Sequence, residues 1–303
     1  MNQVTGNPVW QDLSSDWLNW ADRLAPQADK INRHLIDALE LPKLVRQPIH
    51  HDNAGLRVLD LASGVGEPAF GIARLLNGDM PPSSPDGESR PVLKGRVTAT
   101  DIAPGMCHGL AVRAAQASLA NLDVVAADMQ RLPFANGAFD AVSCRFGIMF
   151  CDDADLALRE CLRVLAQGGR AAFMLWGPMA ENPLFMAMDQ ALRDVLGIGF
   201  AAAGLDPFGF ASPETSVARL INAGFEDVSL VTHVPRGRIP QAARFWRPQM
   251  EMLFGPHMRK ADATAQKAID ECMHANLSQH IEDAHFRVPM CFHILSGSRG
   301  IKL

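Results

Sequence analysis

The stretch RVLDLASGVGEPAF, Arg57 to Phe70, opens as a β-rich run, passes a carboxylate and two glycines, and ends in residues suited to a helix. Glycine at such a junction lets the backbone come close to a ligand and adopt positive φ. GVGEPA fits the G-x-G-x-x-A dinucleotide fingerprint, a weak signal by itself. Asp60 opposes that reading. It stands at the end of the strand, shortly before the first glycine, where it would repel a pyrophosphate. At short range and an effective dielectric near ~20 the repulsion is on the order of several kcal/mol. A ligand carrying a cationic amine would be favoured beside Asp60 instead.

Outward from this stretch the rhythm is strand, helix, strand. RVTATDI (Arg96–Ile102) is the second strand, and the helix after it has Pro104 in its first turn. LDVVAADM and FDAVSCRFGIMF are the third and fourth strands. The helix that follows has acids at its start and the Gly168–Gly169 pair as its stop, and RAAFMLW is the fifth strand. This alternation predicts an α/β fold, a mostly parallel sheet with helices on both faces. SPETSVARLINAGF reads as a helix, EDVSLVTHV as a strand, and RVPMCFHILSGSR as a closing strand. Asn77 to Gly95, rich in proline, serine and glycine, reads as a surface loop.

The expected organisation has an N-terminal helical arm at 1–50, split into two helices at Pro26. An α/β core covers 51–235 and 286–303. Two apolar inserts, 178–210 and 236–285, form a cap over the ligand site. Trp17 and Trp20 fall at helical intervals in the arm, and two readings stand for them: packing, or the roof of a ligand site.

The chain has 303 residues, 48% of them hydrophobic, with net charge -5. No lysine–arginine run supplies a footprint for nucleic acid. There is no secretory pattern at the N-terminus, and the apolar run Val195 to Leu205 is too short to span a bilayer. The six cysteines show no CxxC or zinc spacing, so no metal is expected and the cytoplasm is the expected location. The absence of tyrosine removes any phenolic acid or base. Oligomeric state is not legible.

Asp101 ends the second strand, where a carboxylate can accept from both ribose hydroxyls. Its distance beyond Gly66 exceeds the usual ~20 residues, and the loop at 77–95 accounts for the excess. Asp128 ends the third strand, where it can accept from an adenine amine. An amine, a ribose and an adenine in this order describe S-adenosylmethionine.

The stretches VLDLASGVGE, VTATDIAPGMC, VVAADMQRLPFANGAFDAVSCRFGIMF and LRECLRVLAQGGRAAFMLW then carry a family resemblance. The chain resembles the class I S-adenosylmethionine-dependent methyltransferases, particularly the group similar to the menaquinone and ubiquinone C-methyltransferases. The resemblance implies a Rossmann-like, seven-stranded sheet whose last strand is antiparallel. It implies a donor site of Asp60, Ala62, Ser63, Gly64, Gly66, Asp101, Ile102, Asp128, Met129 and Cys144. It departs from the quinone enzymes at Gly147–Phe150, GIMF where they resemble GIRN.

Transfer to a small-molecule acceptor needs alignment and exclusion of water more than a triad. Arg145, Phe146, Met149 and Trp176 are candidate acceptor contacts, with core packing the competing reading for the apolar ones and a structural ion pair for Arg145. His274 and His280 are the candidate bases. Their spacing does not line one helical face, and a solvated or capping role competes. Two other functions compete with the methyltransferase: an NAD-dependent oxidoreductase, and a non-catalytic donor-binding protein.

Overall fold

The computed structural model describes residues 8–46, 55–78, 93–201 and 204–301. The arm–core boundary at 50/51 and most of the expected loop at 77–95 lie outside the described residues.

The main sheet contains β1 (Leu56–Leu61), β2 (Gly95–Asp101), β3 (Leu122–Ala126), β4 (Phe139–Arg145), β5 (Leu165–Trp176), β6 (Glu226–His233) and β10 (Phe292–Ser298). Their spatial order is β3-β2-β1-β4-β5-β10-β6. β1 to β5 are parallel, and β10 inserts antiparallel between β5 and β6. This is the Rossmann-like methyltransferase sheet that the sequence implies. β7 (Ile239–Pro240), β8 (Ile281–Glu282) and β9 (His285–Phe286) form a separate small antiparallel sheet.

Residues alternate across the sheet, so each strand feeds two cores. Val58 and Val97 pack under α3 (Ala69–Asn77), α4 (Pro104–Gln116) and the end of α1 (Pro8–Ala38), with α2 (Leu41–Val45) completing that layer. Leu59, Leu61, Val142 and Phe173 face α5 (Ala154–Val164) and α7 (Pro213–Asn222). A third core joins α6 (Pro183–Leu196), α8 (Arg247–Lys260) and α9 (Ala263–Leu277). Trp246 is buried there, with its indole N–H donating to Asp270 at 2.9 Å while Arg247 pairs with the same carboxylate at 2.6 Å. The two sequence inserts thus share one core of their own.

Two expectations are corrected. Pro26 does not split the arm, because α1 runs unbroken through it. Proline removes one helical hydrogen bond, and side-chain anchors along α1 offset that loss. The Trp17 indole donates to the Met252 carbonyl at 2.8 Å, Trp20 donates to Glu251 at 2.7 Å, and Asp22 receives Arg113 at 2.9 Å. Nor does the Gly168–Gly169 pair end α5. The helix stops at Val164, and both glycines lie inside β5 at the register shift against β4. Gly168 has φ 73, and a side chain at Gly169 would meet the Ala166 and Asp140 carbonyl oxygens at 2.9 Å.

Candidate active site

Parallel strands deliver their C-terminal ends to one edge of the sheet, where connecting loops leave room for a ligand. A cavity of about 720 Å³ lies there. Its floor is made by Ala62–Val65 after β1, Asp101 and Ile102 at β2, Ala127–Gln130 after β3, Arg145–Gly147 at β4 and Trp176 at β5. Its roof comes from Trp10, Trp17 and Leu24 on α1, Phe185 on α6, and Gln249 and Met252 on α8. The size suits a nucleoside-bearing ligand with a small companion.

The turn after β1 is held by its own backbone. Ser63 N–H donates to the Thr100 carbonyl, and Gly66 N–H to the Ser63 carbonyl, both at 2.8 Å. Gly64 has φ 52 and open space where a side chain would stand. Gly66 has φ 115, and a Cβ there would meet the Phe70 ring at 2.7 Å, so this position requires glycine twice over. Gly66 shapes the turn from below and does not line the cavity. Ala62 and Phe146, at φ 49 and 51, are non-glycine residues held left-handed at the ends of neighbouring strands. Such strain persists only where surroundings over-determine it, and it clusters at ligand sites.

Asp101 is fixed by backbone amides. Gly64 N–H donates to its Oδ2 and Ala103 N–H to its Oδ1, each at 2.9 Å. Burial raises its pKa while those amides oppose the rise. Each oxygen keeps a further lone pair available for a hydroxyl. Asp128 receives the Gln130 backbone N–H at 2.8 Å and also lines the cavity. Ile102 and Met129 line it beside them.

Asp60 lies beneath the floor, fully buried, and does not line the cavity. Its Oδ1 accepts from the Ser143 hydroxyl at 2.6 Å, and its Oδ2 has no partner among the described residues. Burial pushes its carboxyl up to about 6, against the pull of Ser143, Ser63 and Arg145. The acid of this turn that does line the cavity is Glu67, which sequence reasoning passed over. Glu67 receives Asn32 Nδ2 from α1 at 2.6 Å. Burial, then the Asp29 charge, push it up to about 7, against Arg145, Arg113 and Arg74.

Among the candidate acceptor contacts, Arg145, Phe146, Trp176 and Trp17 reach the cavity. Phe146 and Trp176 stack in parallel, with centroids 4.0 Å apart and planes 7° apart. Met149 is buried and faces a smaller neighbouring pocket instead. Trp20 is turned to Glu251 and does not line the cavity. Cys144 is buried in the core, where desolvation raises its pKa. His274 and His280 are not brought to the cavity. His274 packs edge-on against Phe286 at 5.6 Å, and His280 has its pKa lowered by burial and by Arg236. Their places, His274 in the last turn of α9 and His280 in the 3-10 turn that follows, could not be read from spacing. Trp10 and Gln249 also escaped the sequence reading, because only tertiary packing delivers them.

The chain has relatives of known description. A family model described as a methyltransferase domain matches residues 84–173. A demethylmenaquinone methyltransferase of Thermus thermophilus is 30% identical over 213 residues, covering 67% of this chain and 89% of that protein. A ubiquinone/menaquinone biosynthesis C-methyltransferase of Rhizobium meliloti is 38% identical over 129 residues, 42% of this chain and 44% of that one. For several such relatives the match spans about half their length. Among solved structures, Haemonchus contortus phosphoethanolamine N-methyltransferase 2, in complex with phosphomonomethylethanolamine and S-adenosylhomocysteine, shares the fold. Its TM-score is 0.51 at 16% identity, over 88% of this chain and 52% of that chain.

Proposed function

Since the chain belongs to the class I S-adenosylmethionine-dependent methyltransferases, we propose that it methylates a small, mostly apolar or aromatic metabolite by in-line displacement at a carbon, oxygen or nitrogen nucleophile. One observation carries the reading: Asp101, Asp128 and the Gly64 turn converge on a single cavity whose remaining wall is largely apolar. In this assignment Asp101 accepts from the ribose hydroxyls and Asp128 from the adenine amine. Ile102 and Met129 flank the base. Glu67, with Asp60 behind it, faces the cationic amine end of the donor. The orphaned Asp60 Oδ2 and the open space at Gly64 both suit such a group.

Bound S-adenosylmethionine supplies an electrophilic methyl on a sulfonium. The chain's own part is to orient and to enclose. Phe146 and Trp176 offer a flat platform beside the donor turn, and Trp17, Phe185 and Met252 close over it. The inserts 178–210 and 236–285 act as the cap that gives the acceptor its wall. Excluding water there strengthens every electrostatic contact.

The test has two arms. Calorimetry should register S-adenosylmethionine and S-adenosylhomocysteine binding. Labelled donor incubated with a metabolite extract should pass its methyl to a product identified by mass spectrometry. Tight NADH binding with no donor binding would return the chain to the oxidoreductase reading. Donor binding with no transfer to any extract would leave a non-catalytic module.

A further inference from the structure

We infer that Arg145 is the acceptor's anion anchor, so the site selects a methyl acceptor carrying one anionic oxygen group, carboxylate or phenolate, on an apolar body. This rests on the methyltransferase reading above and specifies its acceptor.

The first ground is an unfinished pairing. Arg145 lines the cavity at the end of β4, and its Nε is buried without an acceptor among the described residues. Of the described partly buried arginines, only Arg287 shares such an orphaned Nε, and it does not line the cavity, whereas three in the α/β core are committed. Arg113 donates to the Val65 carbonyl and to Asp22, Arg163 to Glu160 and the Leu132 carbonyl, and Arg170 to the Ala38 carbonyl and Ser296. Arg145 makes no hydrogen bond or ion pair of this kind among the described residues. Glu67 and Asp60 favour its charge from a distance, against the desolvation that lowers its pKa. Arg145 is half-buried, with its Nε shut away from water and no hydrogen bond from its terminal nitrogens among the described residues. A buried donor without a partner is costly, and a ligand oxyanion at the guanidinium offers charge-assisted pairing.

The second ground is position. The sheet order sets the strand ends in a row, β3, β2, β1, β4, β5. Asp128 follows β3 and Asp101 ends β2, so the adenosine half of the donor belongs over that side and its amino-acid half over β1. Arg145 and Trp176 end β4 and β5, on the other side of the donor turn. The Arg145 guanidinium carbon lies 5.2 Å from the Phe146 ring centroid, and Phe146 stacks on Trp176. Phe185, edge-on to Trp176 at 4.7 Å, continues the apolar wall.

The third ground is charge. Arg145 is the sole cationic side chain among the described residues that line the cavity, against Glu67, Asp101, Asp128 and Asp152. The acids gather toward the cationic donor. An anionic head thus has one anchoring point, and the rest of the acceptor meets apolar side chains.

The test uses the whole protein saturated with S-adenosylhomocysteine. Calorimetry compares 1-naphthoate with 1-naphthamide, and 4-nitrophenol, above its ionisation midpoint, with nitrobenzene. At least one anion should bind about tenfold or more tightly than its neutral counterpart, the range of a charge-assisted hydrogen bond, and which one does so separates carboxylate from phenolate. Arg145→Met should bring that preference to within about twofold while changing S-adenosylhomocysteine affinity by no more than about twofold. Equal affinity for anion and neutral partner in the wild type overturns the inference, as does failure of both anions to bind the loaded protein. So does a variant that keeps the preference but loses S-adenosylhomocysteine, because Arg145 would then hold the donor's own carboxylate. The wild-type comparison stands even if the variant does not fold. If the wild type binds no S-adenosylhomocysteine, it is the methyltransferase reading that has failed.

Discussion

Replacing Asp101 by asparagine is the sharpest test of the donor site. The native carboxylate accepts from Gly64 N–H and Ala103 N–H at 2.9 Å each, and it is only 8% exposed. Asparagine keeps one acceptor oxygen and sets an NH2 donor against one of those two amides. A buried amide deprived of its acceptor costs about 1–3 kcal/mol, which should lower the melting temperature by several degrees. The ribose hydroxyls would meanwhile face a neutral amide in place of an anion. Exchanging a charged acceptor for a neutral one gives up about 1–1.5 kcal/mol per hydroxyl, and at about 1.4 kcal/mol per decade S-adenosylhomocysteine should bind about 5- to 100-fold more weakly, depending on whether one hydroxyl or both lose the charge. Calorimetry measures the affinity, and a thermal melt verifies that the variant folds. A 2′-deoxy analogue of S-adenosylhomocysteine completes the cycle, because it should lose much less than the parent ligand when Asp101 is changed. Unchanged affinity in a folded variant, or equal losses for both ligands, would remove Asp101 from the ribose.

Further outcomes follow from the neighbouring residues. Gly66→Ala forces φ 115 on alanine and drives its Cβ into the Phe70 ring, so melting should fall by the equivalent of about 1–3 kcal/mol; an unchanged melt would contradict the geometry. Gly64→Ala has open space, so it should weaken S-adenosylhomocysteine binding more than it lowers stability; the reverse pattern would place the donor elsewhere. Glu67 has its folded pKa pushed from 4.5 up to about 7, so the folded protein holds that proton more tightly than the unfolded chain does. Its stabilising contribution is therefore full below pH 4.5 and is lost as pH rises through about 7. Without ligand, wild type should lose stability relative to Glu67→Gln across that window, and parallel melting curves would refute the assignment. His274→Ala and His280→Ala should leave methyl transfer within about twofold of wild type, whereas a loss of about a hundredfold or more at either would restore a base role.

That the β1 turn, Asp101 and Asp128 share one cavity was legible because the determinants are local. A strand end, a glycine turn and a helix start are adjacent in sequence, and each parallel strand repeats the arrangement, bringing Asp101 and Asp128 to the same edge. Asp60 was legible as a carboxylate at a strand end but not as one lying beneath the floor. That depends on Ser143, its register partner on β4, which only sheet pairing supplies. Pro26 misled because helix rules price one lost hydrogen bond and cannot see Trp17, Trp20 and Asp22 pinning α1 from outside. The Gly168–Gly169 pair has the composition of a helix stop but serves a shift in strand register. Glu67 was overlooked between the glycine turn and Pro68, although its carboxylate faces the same space as Arg145. Trp10 and Gln249 come from distant segments and carry no short-range signature. The histidines attracted attention through chemistry alone, and His274 on α9 and His280 in the turn after it do not line the cavity.

The cavity floor is drawn from the strand ends and the loops that follow them, whereas most of its roof is drawn from α1, α6 and α8, on separate stretches of the chain. The two surfaces can therefore diverge at different speeds. If the floor holds the donor and the roof the acceptor, as proposed, the canopy can change without rebuilding the cradle beneath it. On that proposal, grafting a relative's 178–210 and 236–285 segments onto this scaffold should reassign the client and leave the appetite for donor intact.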